Sequence, residues 1–266
     1  MHTYDKNYFK IALPAALEGL FMILLASTDL IMVGALGALS IAAVSIFMQP
    51  RLILLCFSRS LASSVTLLVS QKAGAGDTNG TSDIMKKSLT LCAIFMGLLH
   101  ILFYIFLDDI FYLMGANDEY MAEAMAYGPI ALAAVYVTSL TLILQAVQLG
   151  YGRTSVIMKT NVCGNVVNLA LNALLIFGFG PIPSLGVTGA AIGTLVSTIF
   201  TLTWTAWILK NESFFSGGSY LPDRAYFHRM MPILLSILSE QGSERVGMVL
   251  FSRMAAGLGT IPFAVH

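Results

Sequence analysis

Charge is scarce in this chain. Of its 266 residues, 11% are charged and 57% are hydrophobic. A soluble domain carries about 25% charged residues. A deficit of that size over the whole length excludes an ordinary soluble fold and indicates an integral membrane protein. The 14 basic and 14 acidic residues cancel, which leaves no basic footprint for nucleic acid. Cysteine is scarce too. Cys56, Cys92 and Cys163 each lie inside an apolar run. Their spacing makes neither a disulfide framework nor a zinc site, so they read as small packing residues. Gly74-Ala75-Gly76 has no Lys-Ser pair after it and no strand before it; it reads as a turn, not a phosphate cradle.

What the chain does have is long apolar runs. Segments of spanning length, about 20 residues, cover 11–33, 45–70, 88–107, 125–149, 156–177, 187–209 and 231–256. The first follows Lys6 and Lys10 but exceeds the roughly 7–15 residues of a signal-peptide core, so it is expected to be a spanning helix. The basic residues then set an orientation. Lys6, Lys10, Lys72, Lys86, Lys87, Arg153, Lys159, Lys210, Arg224 and Arg229 all fall on one side of this arrangement. The three connections on the other side have none, and one of them is acidic, with Asp108, Asp109, Asp118 and Glu119. By the positive-inside rule the N-terminus is expected in the cytoplasm of a multi-pass inner-membrane protein.

A weak repeat runs through the chain. The first helix is expected to begin near Leu13-Pro14 and to end in Leu36–Val44. The seventh begins near Met231-Pro232 and ends in 258–266. The Leu-Gly pairs at 36 and 258 lie 222 residues apart. Two helices starting on the same side, six spans apart, suggest parallel six-helix halves, a common transporter plan. A complete second half would need roughly 200 further residues. The expected organisation is therefore a six-helix lobe over 1–210, a cytoplasmic linker over 211–228, and the opening of a second lobe over 229–266. The fold class is all-α and polytopic. A seven-helix receptor or sensor is the rival reading of the same count.

Asp29 is the residue that points to function. It sits inside the first apolar run, where a carboxylate costs about 2.5–3.5 kcal/mol near a helix centre. Such acids face wet cavities and mark ion or proton paths. Glu18 lies eleven residues earlier on the same face, about 16 Å along the axis. It is either a second station on a path or an acid near the inner mouth with no role. Asn161, Asn165, Asn168 and Asn172, at offsets 0, 4, 7 and 11, all point within about 40° of the Asn161 direction on a helix. That stripe can ligate a cation or hydrogen-bond between helices. Thr194, Thr198, Thr201 and Thr205 repeat the offsets, and threonines often satisfy their own helix carbonyls. Gln145 and Gln148 can line a cavity or cap a helix. Arg59 and Arg245 lie within spans and need a partner or water; Glu240 and Glu244 share the last span with Arg245. Arg51 and Arg253 are expected to snorkel near the outer interface. The 14 methionines suit an adaptable pocket but are ordinary in membrane cores.

Five blocks carry a family resemblance: D-L-I-M-V-G-A-L-G-A-L-S-I-A-A-V (29–44), V-S-Q-K-A-G-A-G-D (69–77), L-M-G-A-N-D-E-Y (113–120), N-V-V-N-L-A-L-N-A-L-L-I-F-G (165–178) and G-V-T-G-A-A-I-G-T-L-V-S (186–197). In that order they resemble the multidrug and toxic compound extrusion transporters, over the length of the chain. The resemblance implies two six-helix lobes around a central cavity. It also implies export of organic, often cationic, compounds in exchange for H+ or Na+, with no enzymatic reaction and no cofactor beyond the coupling ion. The implied partners are small organic substrates and the lipid bilayer, with no obligate protein partner. It assigns cation or proton coupling to Asp29 and Asn168, with Na+ as a candidate there, and Asn172, Thr194 and Glu240 join them as expected coupling residues. At 172 the family usually has Asp where this chain has Asn, which leaves less negative charge for a cation. Glu240, eight residues after Pro232, matches a family glutamate in the seventh helix. Glu18, Asn165 and Gln145 are expected to line the cavity. A flippase for lipid-linked saccharides, from the same superfamily, is the alternative.

Overall fold

The computed structural model describes residues 3–181 and 183–257, with side chains left out over residues 3–11 and at scattered positions in the first and last helices. The helices are α1 (Thr3–Gly34), α2 (Ala38–Ile46), α3 (Met48–Gly74), α4 (Thr78–Ile105), α5 (Leu107–Leu113), α6 (Asp118–Gly150), α7 (Thr154–Phe177), α8 (Gly186–Asn211) and α9 (Arg224–Gly257). The architecture is all-helical. Among the described residues, five segments are long and apolar enough to cross a membrane, with α2 and α3 together forming one of them.

The helices outrun the apolar runs because polar residues cap them beyond the membrane core. Asp77 caps α4 by accepting from Gly80 N at 2.7 Å, and Asn117 caps α6 by accepting from Glu119 N at 3.2 Å. Both caps satisfy amides that a helix start leaves unpaired.

The first boundary differs from the sequence expectation. Leu36–Val44 does not finish the first helix. Gly37 adopts φ 116°, a backbone open mainly to glycine. The chain turns there, and α2 begins a new helix that runs almost directly into α3. The acidic connection also contains a helix, α5, with Asp108 and Asp109 in its first turn, where carboxylates complement the helix dipole. The Leu-Gly pair at 258 and the rest of 258–266 lie outside the described residues.

α6 is the central helix, packed against α2, α3, α4 and α8. Its neighbours α7 and α8 approach closely through glycine. A Cβ on Gly189 would stand 2.5 Å from the Leu175 carbonyl oxygen, and one on Gly193 would stand 2.2 Å from Asn172 Oδ1. Gly189-Ala-Ala-Ile-Gly193 is thus a small-residue seam of the kind that lets membrane helices touch. Away from these seams the surface is apolar. α4 exposes Ile94, Leu98, Ile101 and Ile105, as a face in lipid must.

The two ends of the bundle differ. At one end Ser40 donates to Glu123 Oε2 at 2.8 Å, beside a small cleft lined by Leu36, Leu185 and Gly186. At the other end the basic residues gather. Lys87 pairs with Asp83 at 2.6 Å and Asp223 at 2.7 Å, and Arg153 pairs with Glu212 at 2.5 Å. The segment joining α8 to α9 is held there by Phe214 against Tyr151 and by Ser219 N donating to Asp83 Oδ1 at 3.0 Å.

Candidate functional site

The asparagine stripe of α7 faces α1, and the two helices meet at two depths. Asn172 Nδ2 donates to Asp29 Oδ1 at 3.0 Å. Eleven residues earlier on both helices, Asn161 Nδ2 donates a short hydrogen bond to Glu18 Oε1. Eleven residues is three helical turns, so one register repeats the same carboxylate–amide contact. Gln145 Nε2 extends the inner contact by donating to Asn161 Oδ1 at 2.6 Å.

Around Asp29 the site closes with α8. The Asn168 amide fits in two orientations. In one, its oxygen accepts from Asn172 Nδ2 at 3.2 Å and its nitrogen donates to Thr194 Oγ1 at 3.3 Å. In the other, its nitrogen donates to Asp29 Oδ2 at 3.2 Å and its oxygen accepts from Thr194 N at 3.2 Å. The first sets the amide oxygen against Asp29 Oδ2 and suits a protonated acid. The second suits an ionised one. Asn172 Oδ1 is buried and has no hydrogen-bond partner among the described residues. An unmatched buried acceptor is costly, about 1–3 kcal/mol.

Carboxylate, amide and hydroxyl oxygens from three helices therefore converge. The acceptors are hard oxygens, the donor type that suits a hard cation such as Na+, while Asn172 presents its Nδ2 to Asp29. Among the described residues no group of three His, Cys, Asp or Glu side chains gathers that could hold a metal. The site's single carboxylate fits a monovalent ion better than a divalent one.

A cavity of about 670 Å³ opens beside this cluster. Asp29, Asn168, Asn172 and Thr194 line one end of it, and Gln145, Asn161 and Asn165 lie further along. Thr198, Thr201 and Arg59 also line it, whereas Glu18, Glu240 and Thr205 do not. Glu18 reaches the cavity only through Asn161. Glu240, on α9, is exposed and lines no part of it. The side chains of Pro14, Arg245 and Arg253 lie outside the described set. Thr198, Thr201 and Thr205 donate to carbonyls of their own helix. Thr194 does the same toward Ala190, at 2.9 Å, while meeting Asn168. Gln148 is buried and donates to Glu212 Oε2 at 3.2 Å.

Two contributors escaped the sequence reading. Arg51 lines the cavity and interacts electrostatically with Asp29, although snorkelling at the outer interface was expected. Gly37 turns the chain into the short α2, which leads into α3 and its first-turn Arg51. Tyr127 of α6 lines the cavity near both. Its only sequence signal was a tyrosine within an apolar run, which is common.

The MatE family model matches residues 14–174. This chain belongs to the MatE family. Among curated proteins it is 27% identical over 249 residues to "Probable multidrug resistance protein NorM" of Rhizobium meliloti, covering 90% of this chain and 52% of that protein. It is 28% identical over 187 residues to the FAD transporter of Shewanella oneidensis, covering 68% of this chain and 40% of the relative. The chain thus spans about half the length of the curated relatives it matches. Among solved structures, the Vibrio cholerae MATE transporter VcmN in its bent form superposes with a TM-score of 0.88 at 21% identity, over 97% of this chain and 58% of that one. A MOP superfamily transporter from Pyrococcus furiosus gives 0.86 at 24% identity, over 98% and 58%. These likenesses show the fold. A MatE chain is a multi-pass membrane protein of a transporter family.

Proposed function

We propose that this chain forms one lobe, with the opening helix of a second, of an antiporter that moves small organic compounds in exchange for H+ or Na+. The observation that carries the reading is the three-helix oxygen cluster of Asp29, Asn168, Asn172 and Thr194 at one end of the cavity. The coupling ion binds at Asp29. Its arrival changes which groups the acid can bond: an ionised Asp29 accepts from both Asn172 and Asn168, and a protonated one donates to the Asn168 oxygen, with the Asn168 nitrogen turned to Thr194 Oγ1. The contact between α1 and α7 is thereby altered at one end of the cavity while Glu18–Asn161 holds the other. Substrate and ion then favour different arrangements of α1, which is the thermodynamic requirement for coupling.

The basic end of the bundle faces the cytoplasm of an inner-membrane protein, as the Lys and Arg distribution requires. Residues 1–210 form the lobe, 211–228 the joint, and α9 begins the next repeat. Glu240 serves that second repeat and not the Asp29 site. The relatives named for multidrug resistance and for FAD transport support transport of organic compounds as the class of activity.

The experiment is drug efflux from cells carrying the complete transporter with Asp29→Asn. The variant should reach the membrane at normal levels and lose ion-coupled efflux. Normal efflux at normal expression would refute the assignment.

A further inference from the structure

The charged groups that line the cavity are Asp29, Arg51 and Arg59. With the acid ionised, their sum is one positive charge. Arg51 interacts electrostatically with Asp29 at one end of the cavity. Arg59 has no such counterpart. It sits eight residues further along α3, about 12 Å deeper, and forms no salt bridge among the described residues. The rest of the lining includes amide, hydroxyl and apolar groups, among them Asn165, Thr138 and Leu142. An uncompensated guanidinium at membrane depth marks a place for a partner. Its planar fork fits carboxylate, sulfonate and phosphate groups.

We propose that the cavity takes an organic anion or zwitterion, with its acidic group held at Arg59. This rests on the cavity being the substrate site, and it names the class of substrate that site accepts. An organic cation would be repelled by Arg59. The acidic group of the substrate and the coupling ion then occupy separate positions, Arg59 and Asp29. Exchange between them runs through the α1–α7 contact, with no shared carboxylate.

Two dyes of similar size and opposite charge test it on the purified complete protein: sulforhodamine B, an anion, and rhodamine 6G, a cation. Binding is read by fluorescence anisotropy in nanodiscs of zwitterionic lipid. The wild-type protein should prefer sulforhodamine B. Arg59→Gln should weaken that dye about tenfold or more, with Arg59→Lys restoring part of the loss and confirming a folded protein. Ala134→Trp, which fills the cavity wall, should weaken both dyes. If Ala134→Trp leaves both unchanged, the cavity is not the substrate site, and the proposed function and this inference fail together. If Ala134→Trp acts but Arg59→Gln does not, or rhodamine 6G binds more tightly, only the inference is overturned. Loss of sulforhodamine B on adding phosphatidylglycerol to the disc, but not on adding soluble naphthalenesulfonate, would assign Arg59 to lipid and overturn it as well.

Discussion

At the residue scale, the proposed coupling site is defined as much by Asn172 as by Asp29. The 3.0 Å contact between them means that a second acid at 172 would face the first directly. Two carboxylates at that separation repel, and a cation between them relieves the repulsion. Asn172→Asp should therefore raise Na+ affinity by at least about tenfold, or ~1.4 kcal/mol, as measured by 22Na+ binding to the purified protein. Unchanged affinity would show that Asn172 stands outside the ion's coordination. The sequence showed Asp29 and the asparagine stripe because a buried carboxylate and an amide row are both costly in lipid and so stand out from the background. It could not show which amide met which acid. Asn168 and Asn172 are one turn apart, and the choice between them depends on the rotation of α7 against α1, which side-chain spacing within α7 does not fix. Arg51 was hidden for a similar reason. Its position follows from the turn at Gly37, a backbone event that hydropathy does not register.

At the element scale, the spans were readable because each is a long apolar run, and the caps at Asp77 and Asn117 account for the extra turns. The approach of α7 to α8 was not readable, since a glycine pair in a membrane helix can face a neighbour or lipid equally well. Its consequences can be separated by position. A methyl at Gly189 meets the backbone of Leu175 and Ile176, which cannot yield, whereas one at Gly193 first meets the Asn172 side chain, at 2.2 Å. Gly189→Ala should lower the melting temperature in detergent through overpacking of roughly 1–3 kcal/mol. Gly193→Ala should be milder in stability but should displace Asn172 and weaken Na+ binding. Gly242, with nothing within 4 Å of its added Cβ, is the control: alanine there should be neutral or slightly stabilising, by up to about 1 kcal/mol. Equal melting temperatures for the Gly189 and Gly242 variants would contradict the packing account of the seam.

At the scale of the whole molecule, the connection after α8 is a fastened strap. In the sequence Lys87 counted only as a basic residue for orientation, and 211–228 read as a linker. In the fold Lys87 holds Asp223 at 2.7 Å, Asp223 accepts from Tyr226 N at 2.7 Å, and the Tyr226 and Ser88 hydroxyls share a hydrogen bond at 2.8 Å. Gly218, at φ 73°, lies so close to Asp83 that a Cβ would stand 2.4 Å from its Cα. The start of α9 is thus tied to the start of α4, 136 residues earlier, and no local pattern could reveal that. The hydrogen bond from Lys87 and the one from the Tyr226 amide hold the Asp223 carboxyl below the usual carboxylate range. A carboxyl depressed in the folded state stabilises it at pH values above the unfolded pKa, and that contribution disappears as pH falls through the folded pKa. Asp223→Asn should therefore melt below the wild type at pH 7, and the two melting curves should converge as the buffer is taken below about pH 4. Because Asp223 is solvent-facing, the gap should also shrink in high salt. A gap that stays constant from pH 7 to pH 3 would mean that the Asp223 side chain contributes through its shape alone, and that the strap is held by Gly218, Phe214 and the Tyr226–Ser88 bond without its ion pair.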